Sequence, residues 1–210
     1  MNLVIFDMDG TIIDTIQDIH NSLLITLDKY ELEPIEIKYT KRYVGSGMRQ
    51  LVINAVGEEN FKDEMETYFR SVYKEKMMEN TCIIKGFKSV LRYIDYSKIK
   101  AVILSNKIRQ ISDDMVKHFD IGQYFVEWYG GDSFGVKKPA PYGVSKIIEE
   151  HNELPHKTIM IGDSYSDILA GAGAGARTCF CSYGYGTLNN VSADYIANTP
   201  KDIIRILEGI

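Results

Sequence analysis

The chain is poor in cysteine and has no long apolar run. Its three cysteines, Cys82, Cys179 and Cys181, form neither a C-x-x-C pair nor the spacing of a zinc site. Cys179 and Cys181 stand two apart in an apolar stretch, where they read as small hydrophobes on one strand face. An odd cysteine count without a secretory signal favours a reducing compartment, and the cytoplasm is the expected location. The opening run Leu3–Phe6 has no basic flank and is too short for a signal peptide or a membrane span. Lysine and arginine are scattered, with no basic stripe interleaved with aromatics, so neither nucleic acid nor a membrane is an expected partner. No internal repeat is present.

What remains is ordinary globular material: 210 residues, 45% hydrophobic and 25% charged. That length suits one domain, or one domain carrying an insertion, with a core that needs no disulfide or structural metal. The net charge is −5. An acidic protein that handles an anionic substrate must gather positive charge locally, from a metal, a lysine or backbone amides.

Short apolar runs recur and stop at small or acidic residues. Leu3–Phe6 stops at Asp7-Met8-Asp9-Gly10, Lys100–Leu104 at Ser105-Asn106, and Tyr124–Tyr129 at Gly130-Gly131-Asp132; Thr158–Ile161 stops at Gly162-Asp163, and Thr178–Cys181 at Ser182-Tyr183-Gly184. Each has the length and composition of a buried parallel strand. Helical spacing fills the intervals 86–96, 107–118, 141–151, 164–172 and 200–207. Strand alternating with helix predicts an α/β fold with a doubly wound parallel sheet, whose ligand site lies at the carboxyl ends of the strands. Residues 15–82 break the rhythm: 16–30, 38–43, 48–56 and 59–78 all read as helices. The expected organisation is a core of residues 1–14 and 83–210, with a helical cap of residues 15–82 inserted over the site. The run Ala170–Ala176 contains G-x-G-x-x-A, but it ends a helix and enters a strand, the wrong order for a dinucleotide site. Its small residues serve close packing, with Gly175 near the helix end.

Four groups carry chemistry. Asp7 and Asp9, two apart at a strand end, repel unless a cation or a shared proton intervenes, and oxygen ligands select a hard ion such as Mg²⁺. Gly10 permits a sharp turn; the alternative is a plain aspartate turn pair. Ser105 and Asn106 can meet a phosphate oxygen at a helix start, or Ser105 is simply an N-cap. One of Lys137 and Lys138, before Pro139, can neutralise a carboxylate and a transferring phosphoryl group, the other being a surface lysine. Asp163 can complete a metal site, with Asp167 one helical turn on; otherwise they are a cap and an exposed acid. Their convergence on the strand ends of one sheet favours catalysis.

Asp7-Met8-Asp9-Gly10-Thr11 matches the D-x-D-G-[TV] signature of the haloacid dehalogenase superfamily. Ser105, Lys138-Pro139 and Gly162-Asp163-Ser164-x-x-Asp167 match its later motifs in order, across essentially the whole chain. The helical insertion resembles the type 1 cap. Phe6–Thr15, Val44-Gly45-Ser46-Gly47 and Tyr183-Gly184-Tyr185-Gly186 resemble the phosphoglycolate phosphatase-like branch. The resemblance implies a Mg²⁺-dependent phosphatase acting on a small phosphorylated metabolite, with 2-phosphoglycolate as the first expectation and sugar phosphates, nucleotides and pyrophosphate as others. It implies that Asp7 is the nucleophile that becomes an aspartyl-phosphate, and that Asp9 is the acid and then the base. Mg²⁺ would sit between Asp7, the backbone carbonyl of Asp9 and Asp163, with Asp167 as a direct or outer ligand. Ser105 and Lys138 would hold phosphoryl oxygens, and Gly10, Thr11, Gly45, Gly47, Arg49 and Asn106 would line the substrate site. Such enzymes lower a barrier by roughly 20 kcal/mol or more. Arg42 or Arg49 could meet a substrate carboxylate or second phosphate, or lie on a solvated helix face. Dehalogenation is disfavoured, since it would leave Asp9 without a leaving alcohol to protonate. A β-phosphoglucomutase-like activity would place a histidine where this chain has Ile19, with His20 one position off. A non-catalytic sensor of a phosphorylated metabolite would have lost Asp9, Lys138 or Asp163, and all are present. A monomer or a homodimer fits equally.

Overall fold

The computed structural model describes residues 1–210. The chain starts with β1 (Leu3–Phe6), makes a tight turn and reaches the two-residue strand β2 (Ile13–Asp14). Four helices follow, α1 (Ile16–Lys29), α2 (Ile37–Tyr43), α3 (Met48–Val56) and α4 (Asp63–Lys76), and then β3 (Cys82–Ile83). From there the elements are α5 (Phe87–Ser97), β4 (Lys100–Leu104), α6 (Arg109–His118), β5 (Glu127–Tyr129) and α7 (Tyr142–Glu150). The chain finishes with β6 (Thr158–Gly162), α8 (Tyr165–Gly173), β7 (Arg177–Cys181), β8 (Tyr195–Ala197) and α9 (Pro200–Glu208).

Six strands form one parallel sheet in the order β5-β4-β1-β6-β7-β8. From β1 the chain first builds outward through β4 and β5, then returns to the other side of β1 for β6, β7 and β8. The strand order therefore reverses at β1, and the crevice of a doubly wound sheet opens at its carboxyl end, where Asp7 stands.

The apolar run of β1 is buried on both faces because helices cover both. Val4 and Phe6 join a cluster with Val90 and Ile94 of α5, Ile111 and Met115 of α6 and Ile203 of α9. Leu3 and Ile5 point the other way, against Val144 and Ile147 of α7 and Ala170 of α8. Each such side chain contributes about 1.5–3 kcal/mol on burial. The first cluster continues without a break into the inserted helices, through Leu23, Leu51, Phe69 and Tyr73. In the small-residue run, a Cβ on Gly171 would come within 2.7 Å of Met160, so close packing of α8 on β6 requires glycine there. Gly175 takes φ +74 just past the helix end.

Several expected boundaries shift. The stretch 124–129 is a strand only over Glu127–Tyr129, because it is an edge strand pairing with β4 alone; residues 122–124 form a short 3-10 turn. The helix expected over 59–78 starts at Asp63, after a turn in which the Asn60 amide donates to the Val56 carbonyl. Its first turn carries Asp63, Glu64 and Glu66 and its last Lys74 and Lys76, each sign at the helix end that favours it. The helix expected from Lys107 begins at Arg109, leaving 105–108 as a loop. Strand β8, short and at the sheet edge, gave no apolar run to recognise.

The helical segment leaves and rejoins the sheet through β2 and β3, which pair antiparallel with Ile13 opposite Ile83 and Asp14 opposite Cys82. Asp18, in the first turn of α1, clamps the same junction. Its carboxylate accepts the Asn80 and Thr81 backbone N–H groups at 2.9 and 2.8 Å and both side chains at 2.8 Å. Burial alone would push this carboxyl up, but the donors outweigh it and hold it below the usual value. Replacing Asp18 with alanine strands buried donors and is expected to cost about 2–3 kcal/mol in urea unfolding near neutral pH. A depressed carboxyl stabilises above its unfolded pKa and loses that contribution as pH falls through its folded value, so the difference from wild type should narrow in acid.

Candidate active site

The carboxyl ends of β1, β4 and β6 and the loop before α7 meet at one point. Asp7 continues the ladder of β1, its N–H donating to the Ile161 carbonyl at 2.9 Å. Lys138 reaches it from the loop ahead of α7. The Lys138 ammonium donates to Asp7 Oδ1 at 2.8 Å, to Asp167 Oδ1 at 2.7 Å and to the Leu104 carbonyl at 2.6 Å, so all three of its N–H groups are used. Asn106 fixes the lysine's backbone from both sides: its amide donates to the Lys138 carbonyl and its oxygen accepts the Lys138 N–H, each at 2.9 Å. The following bond to Pro139 is cis. Lys138 is the buried lysine of the pair and Lys137 the exposed one. Its burial disfavours the charge, yet Asp167 and Asp7 more than reverse that and hold the ammonium protonated.

Asp163 directly follows β6 and accepts the Tyr185 and Gly186 N–H groups on Oδ2 at 2.9 and 3.0 Å. Two glycines let the backbone come this close. A Cβ on Gly10, which sits at φ +75, would lie 2.1 Å from Asp163 Oδ2, and one on Gly184 would lie 2.4 Å from Asp163 Cβ. Ser164, not Asp163, is the N-cap of α8, and Asp167 closes the capping box by accepting the Ser164 N–H and hydroxyl on Oδ2 at 3.0 and 2.7 Å. Asp167 thus spends both oxygens, one on the cap and one on Lys138.

Oxygens of Asp7, Asp163 and Asp167 lie within 4.8 Å of one another, all buried. Three carboxylates against one ammonium leave two negative charges. Burial pushes the Asp7 carboxyl up to about 7 despite Lys138, and it raises Asp163 well above the usual range, helped by the charges of Asp7 and Asp167. Asp7 Oδ2 and Asp163 Oδ1 have no protein donor. Hard oxygen donors with uncompensated buried charge are what a divalent cation requires, so the residues fit one.

Asp9 turns away from this cluster. Its Oδ1 accepts the Thr15 hydroxyl at 2.6 Å, and Thr15 in turn lies 2.9 Å from the Tyr185 hydroxyl. Its Oδ2 lies 3.2 Å from the Lys107 ammonium, which donates to the Tyr73 hydroxyl of α4 at 3.0 Å. Burial works against the Lys107 charge, but Asp9 and Tyr73 outweigh it and keep the group protonated. Burial pushes the Tyr73 phenol up to about 12, so it is neutral at ordinary pH.

These groups line a cavity of ≈ 40 Å³ containing Asp7, Asp9, Ser105, Asn106, Lys107 and Lys138 on the sheet side. Helices α1, α3 and α4 roof it with apolar side chains, among them Ile19, Leu51 and Phe69, and the loop 44–47 supplies Gly45 and Gly47. The Asn106 amide also donates to the Gly45 carbonyl at 2.6 Å, joining that loop to the sheet. Beside it opens a larger polar cleft of ≈ 590 Å³, lined by Arg42, Gln50, Tyr165 and Thr187 among others.

Several expected site residues lie elsewhere. Arg49 lines neither space; its guanidinium pairs with Asp63 at 2.7 Å and Glu66 at 3.1 Å over the Phe61 ring, so neighbouring acids already satisfy it. Arg42 borders the larger cleft. Gly10 and Thr11 are outside the cavity wall: Gly10 packs under Asp163, and Thr11 is fully buried with its carbonyl accepting the Tyr183 hydroxyl at 2.9 Å. Ser105 is not an N-cap, since α6 begins four residues later; its hydroxyl accepts the Lys107 N–H at 3.1 Å. The side chain of Asp9 is not in the acidic cluster, which leaves only its backbone carbonyl for the expected ligand role. Sequence reasoning missed Lys107, Tyr73, Thr15 and Tyr185. For Lys107 a signal existed, an ammonium directly after Ser105-Asn106, but helical periodicity hid it.

A family model described as haloacid dehalogenase-like hydrolase matches residues 4–181. A phosphoglycolate phosphatase of Aquifex aeolicus is 32% identical over 208 residues, covering 99% of this chain and 97% of its own length. Another, from Psychrobacter arcticus, is 34% identical over 196 residues and covers 87% and 84%. The crystal structure of a predicted phosphoglycolate phosphatase from Haemophilus somnus matches with a TM-score of 0.89 at 24% identity, covering 99% of this chain and 98% of that one. At that identity the likeness speaks for the fold alone.

The raised carboxyls make a test of the acidic cluster. A carboxyl lifted above its unfolded pKa lowers stability as pH rises from the ordinary carboxylate value toward the lifted one. In chelator, Tm is expected to fall as pH rises from roughly 5 to 8, and the rise in Tm on adding Mg²⁺ should grow over the same range, because the ion replaces protons. Thermal unfolding with and without Mg²⁺ across that range is the measurement, and a flat metal-free Tm would contradict the charge reading.

Proposed function

The chain belongs to the haloacid dehalogenase-like hydrolases, and from that premise we propose that it is a Mg²⁺-dependent phosphatase of small phosphorylated metabolites, with 2-phosphoglycolate the first candidate. The observation that carries the proposal is Asp7: a buried carboxylate in the cavity, held by Lys138 on one oxygen and free on the other.

In this reading Asp7 Oδ attacks the phosphorus of the monoester. The phosphorus–oxygen bond to the alcohol breaks as an aspartyl-phosphate forms, and Asp9 gives a proton to the departing oxygen. Water then attacks the same phosphorus, Asp9 takes its proton, and inorganic phosphate leaves with Asp7 restored. The Thr15 hydroxyl on one Asp9 oxygen and Lys107 beside the other fix the orientation of that carboxyl. The Lys138 ammonium beside Asp7 offsets charge on the phosphoryl group, and the Ser105 hydroxyl and the Asn106 N–H align its oxygens. Asp7 and Asp163 would hold Mg²⁺ together with the Asp9 carbonyl, and Asp167, with both oxygens engaged, supports Lys138 and Ser164 from the outer shell. When bound, the ion offsets charge on the carboxylates and the phosphoryl group, which in phosphoryl transfer is most of what catalysis needs. Residues 15–82 act as the cap: they supply the apolar roof that keeps bulk water from the acyl phosphate.

Two features favour hydrolysis over mutase chemistry. Ile19, at the position of the mutase histidine, lines the cavity as an apolar side chain. His20 is buried within the helical segment, its Nδ1 2.8 Å from the Thr40 hydroxyl. No helix is long and apolar enough to cross a membrane, and the three cysteines are free, which suits a reducing cytoplasm.

Phosphate release from a panel of phosphorylated metabolites, with and without Mg²⁺, tests the proposal. Turnover should require Mg²⁺, be highest with 2-phosphoglycolate, and fall by about 10⁴-fold or more in Asp7→Asn. No release by folded, metal-loaded protein would overturn it.

A further inference from the structure

The segment Tyr183–Gly186 lies against the site, and one of its side chains has no part in the chemistry described so far. Its backbone is laid on Asp163, whose Oδ2 accepts the Tyr185 and Gly186 N–H groups. A Cβ on Gly186 would come 2.4 Å from the Asp163 carbonyl oxygen, so only glycine lets the chain this close. The Tyr185 side chain then runs toward a different aspartate. Its ring lies beside Gly10, where a Cβ would come 3.2 Å from Cζ, and its hydroxyl is 2.9 Å from the Thr15 hydroxyl. Thr15 is fully buried and donates to Asp9 Oδ1 at 2.6 Å.

The supply of protons fixes the direction of this chain. A hydroxyl has one O–H, and a carboxylate oxygen only accepts. Thr15 spends its proton on Asp9, so Tyr185 is the donor to Thr15. The threonine forgoes another bond for this. It stands at the N-cap of α1, where a hydroxyl ordinarily accepts a free helix N–H, and here it makes no such bond. Asp9 lines the cavity, whereas Thr15 and Tyr185 do not, and Tyr185 borders the larger cleft. The Tyr185 hydroxyl therefore reaches the cavity only through Asp9.

We propose that Tyr185 is a positioning residue for proton transfer: through Thr15 it fixes the rotation of the Asp9 carboxyl, while its own N–H fixes Asp163. The proposal rests on the phosphatase reading and extends it to a residue outside the cavity. With Oδ1 held, the carboxyl turns about its Cβ–Cγ bond only by breaking the chain. In the first step the phosphorus–oxygen bond breaks as Asp7 bonds to phosphorus, and the Asp9 proton moves onto the departing alcohol oxygen. Loss of alignment at Asp9 slows that step for a poor leaving group. It spares a good one, which departs as a stable anion and needs no proton. One residue thus keeps the proton carrier and Asp163 in register with each other across Gly10.

The test is Tyr185→Phe, which removes the hydroxyl and keeps both the ring and the N–H on Asp163. The quantity is kcat/KM, which reports phosphoryl transfer to Asp7. It is compared for 2-phosphoglycolate, or the alkyl ester that wild type cleaves best, and for acetyl phosphate, whose acetate leaves unprotonated. The alkyl ester should lose about tenfold or more and acetyl phosphate no more than about threefold. Thr15→Val should show the same selective loss, and Thr15→Ser, which keeps the hydroxyl, should not. Adding Tyr185→Phe to Thr15→Val should cost nothing further, because the tyrosine acts only through the threonine. A loss shared equally by both substrates, or no loss with either, would overturn the proposal and leave Tyr185 a structural residue. Additive losses in the double variant would overturn it too, and that cycle alone decides if wild type does not accept acetyl phosphate. Absence of phosphate release by wild type from every ester would instead overturn the phosphatase reading, and this proposal with it.

Discussion

The Lys138 ammonium, buried between Asp7 and Asp167, is the interaction on which the rest of the site depends. Three carboxylates drawn together at the ends of a buried sheet repel one another strongly in a medium that screens poorly. Without the lysine, Asp7 and Asp167 would have to be protonated or pushed apart, and the cap of α8 would be disturbed through Asp167. With it, Asp7 keeps one oxygen pinned and the other open. Much of the surrounding loop structure serves to deliver this one side chain: Asn106 grips its backbone on both sides, and the Leu104 carbonyl takes its last proton. Removing one partner of such a buried set typically costs about 3–5 kcal/mol, so the arrangement is fixed by electrostatics more than by packing.

The lysine leaves charge uncompensated, and this sets up the function. Two excess negative charges and two carboxylates with a free oxygen each make the cluster receptive to a cation, while the same repulsion raises the Asp7 and Asp163 carboxyls. A site that satisfied itself completely would be more stable and could bind nothing. Asp9 is kept separate by a different set of partners, Thr15 and Lys107, so two aspartates two residues apart enter different environments. In the proposed mechanism that separation lets Asp7 act as nucleophile and Asp9 as proton carrier.

The inserted helices are tied to the sheet in three physically distinct ways. The β2–β3 pair and the Asp18 clamp fix where they leave and return. The apolar cluster running from Phe6 through Leu23 to Phe69 gives the contact its bulk energy. The polar bridges Asn106 to Gly45 and Lys107 to Tyr73 join the two sides at the cavity itself. Both bridges join residues that line the cavity, so a motion parting the helices from the sheet there must break them.

The alternation of apolar run and helix announces the doubly wound sheet in the sequence alone, because buried parallel strands are continuously hydrophobic and helices are periodic. The polar residues that stop those runs, Asp7, Asp9, Ser105 and Asp163, were legible for the same reason: local pattern places them at strand ends. Local pattern left Lys137 and Lys138 equivalent and only the Lys138-Pro139 resemblance favoured Lys138; the physical reason, Asp7 at a separation of 131 residues, is visible only in the tertiary structure. The tertiary structure also moved Arg49 out of the site onto Asp63 and Glu66, and brought in Tyr73 and Tyr185, whose partners lie 34 and 170 residues away. Periodicity reports which face of an element is apolar, whereas the pairing of charges across elements depends on how those elements are stacked, and no local pattern carries that information.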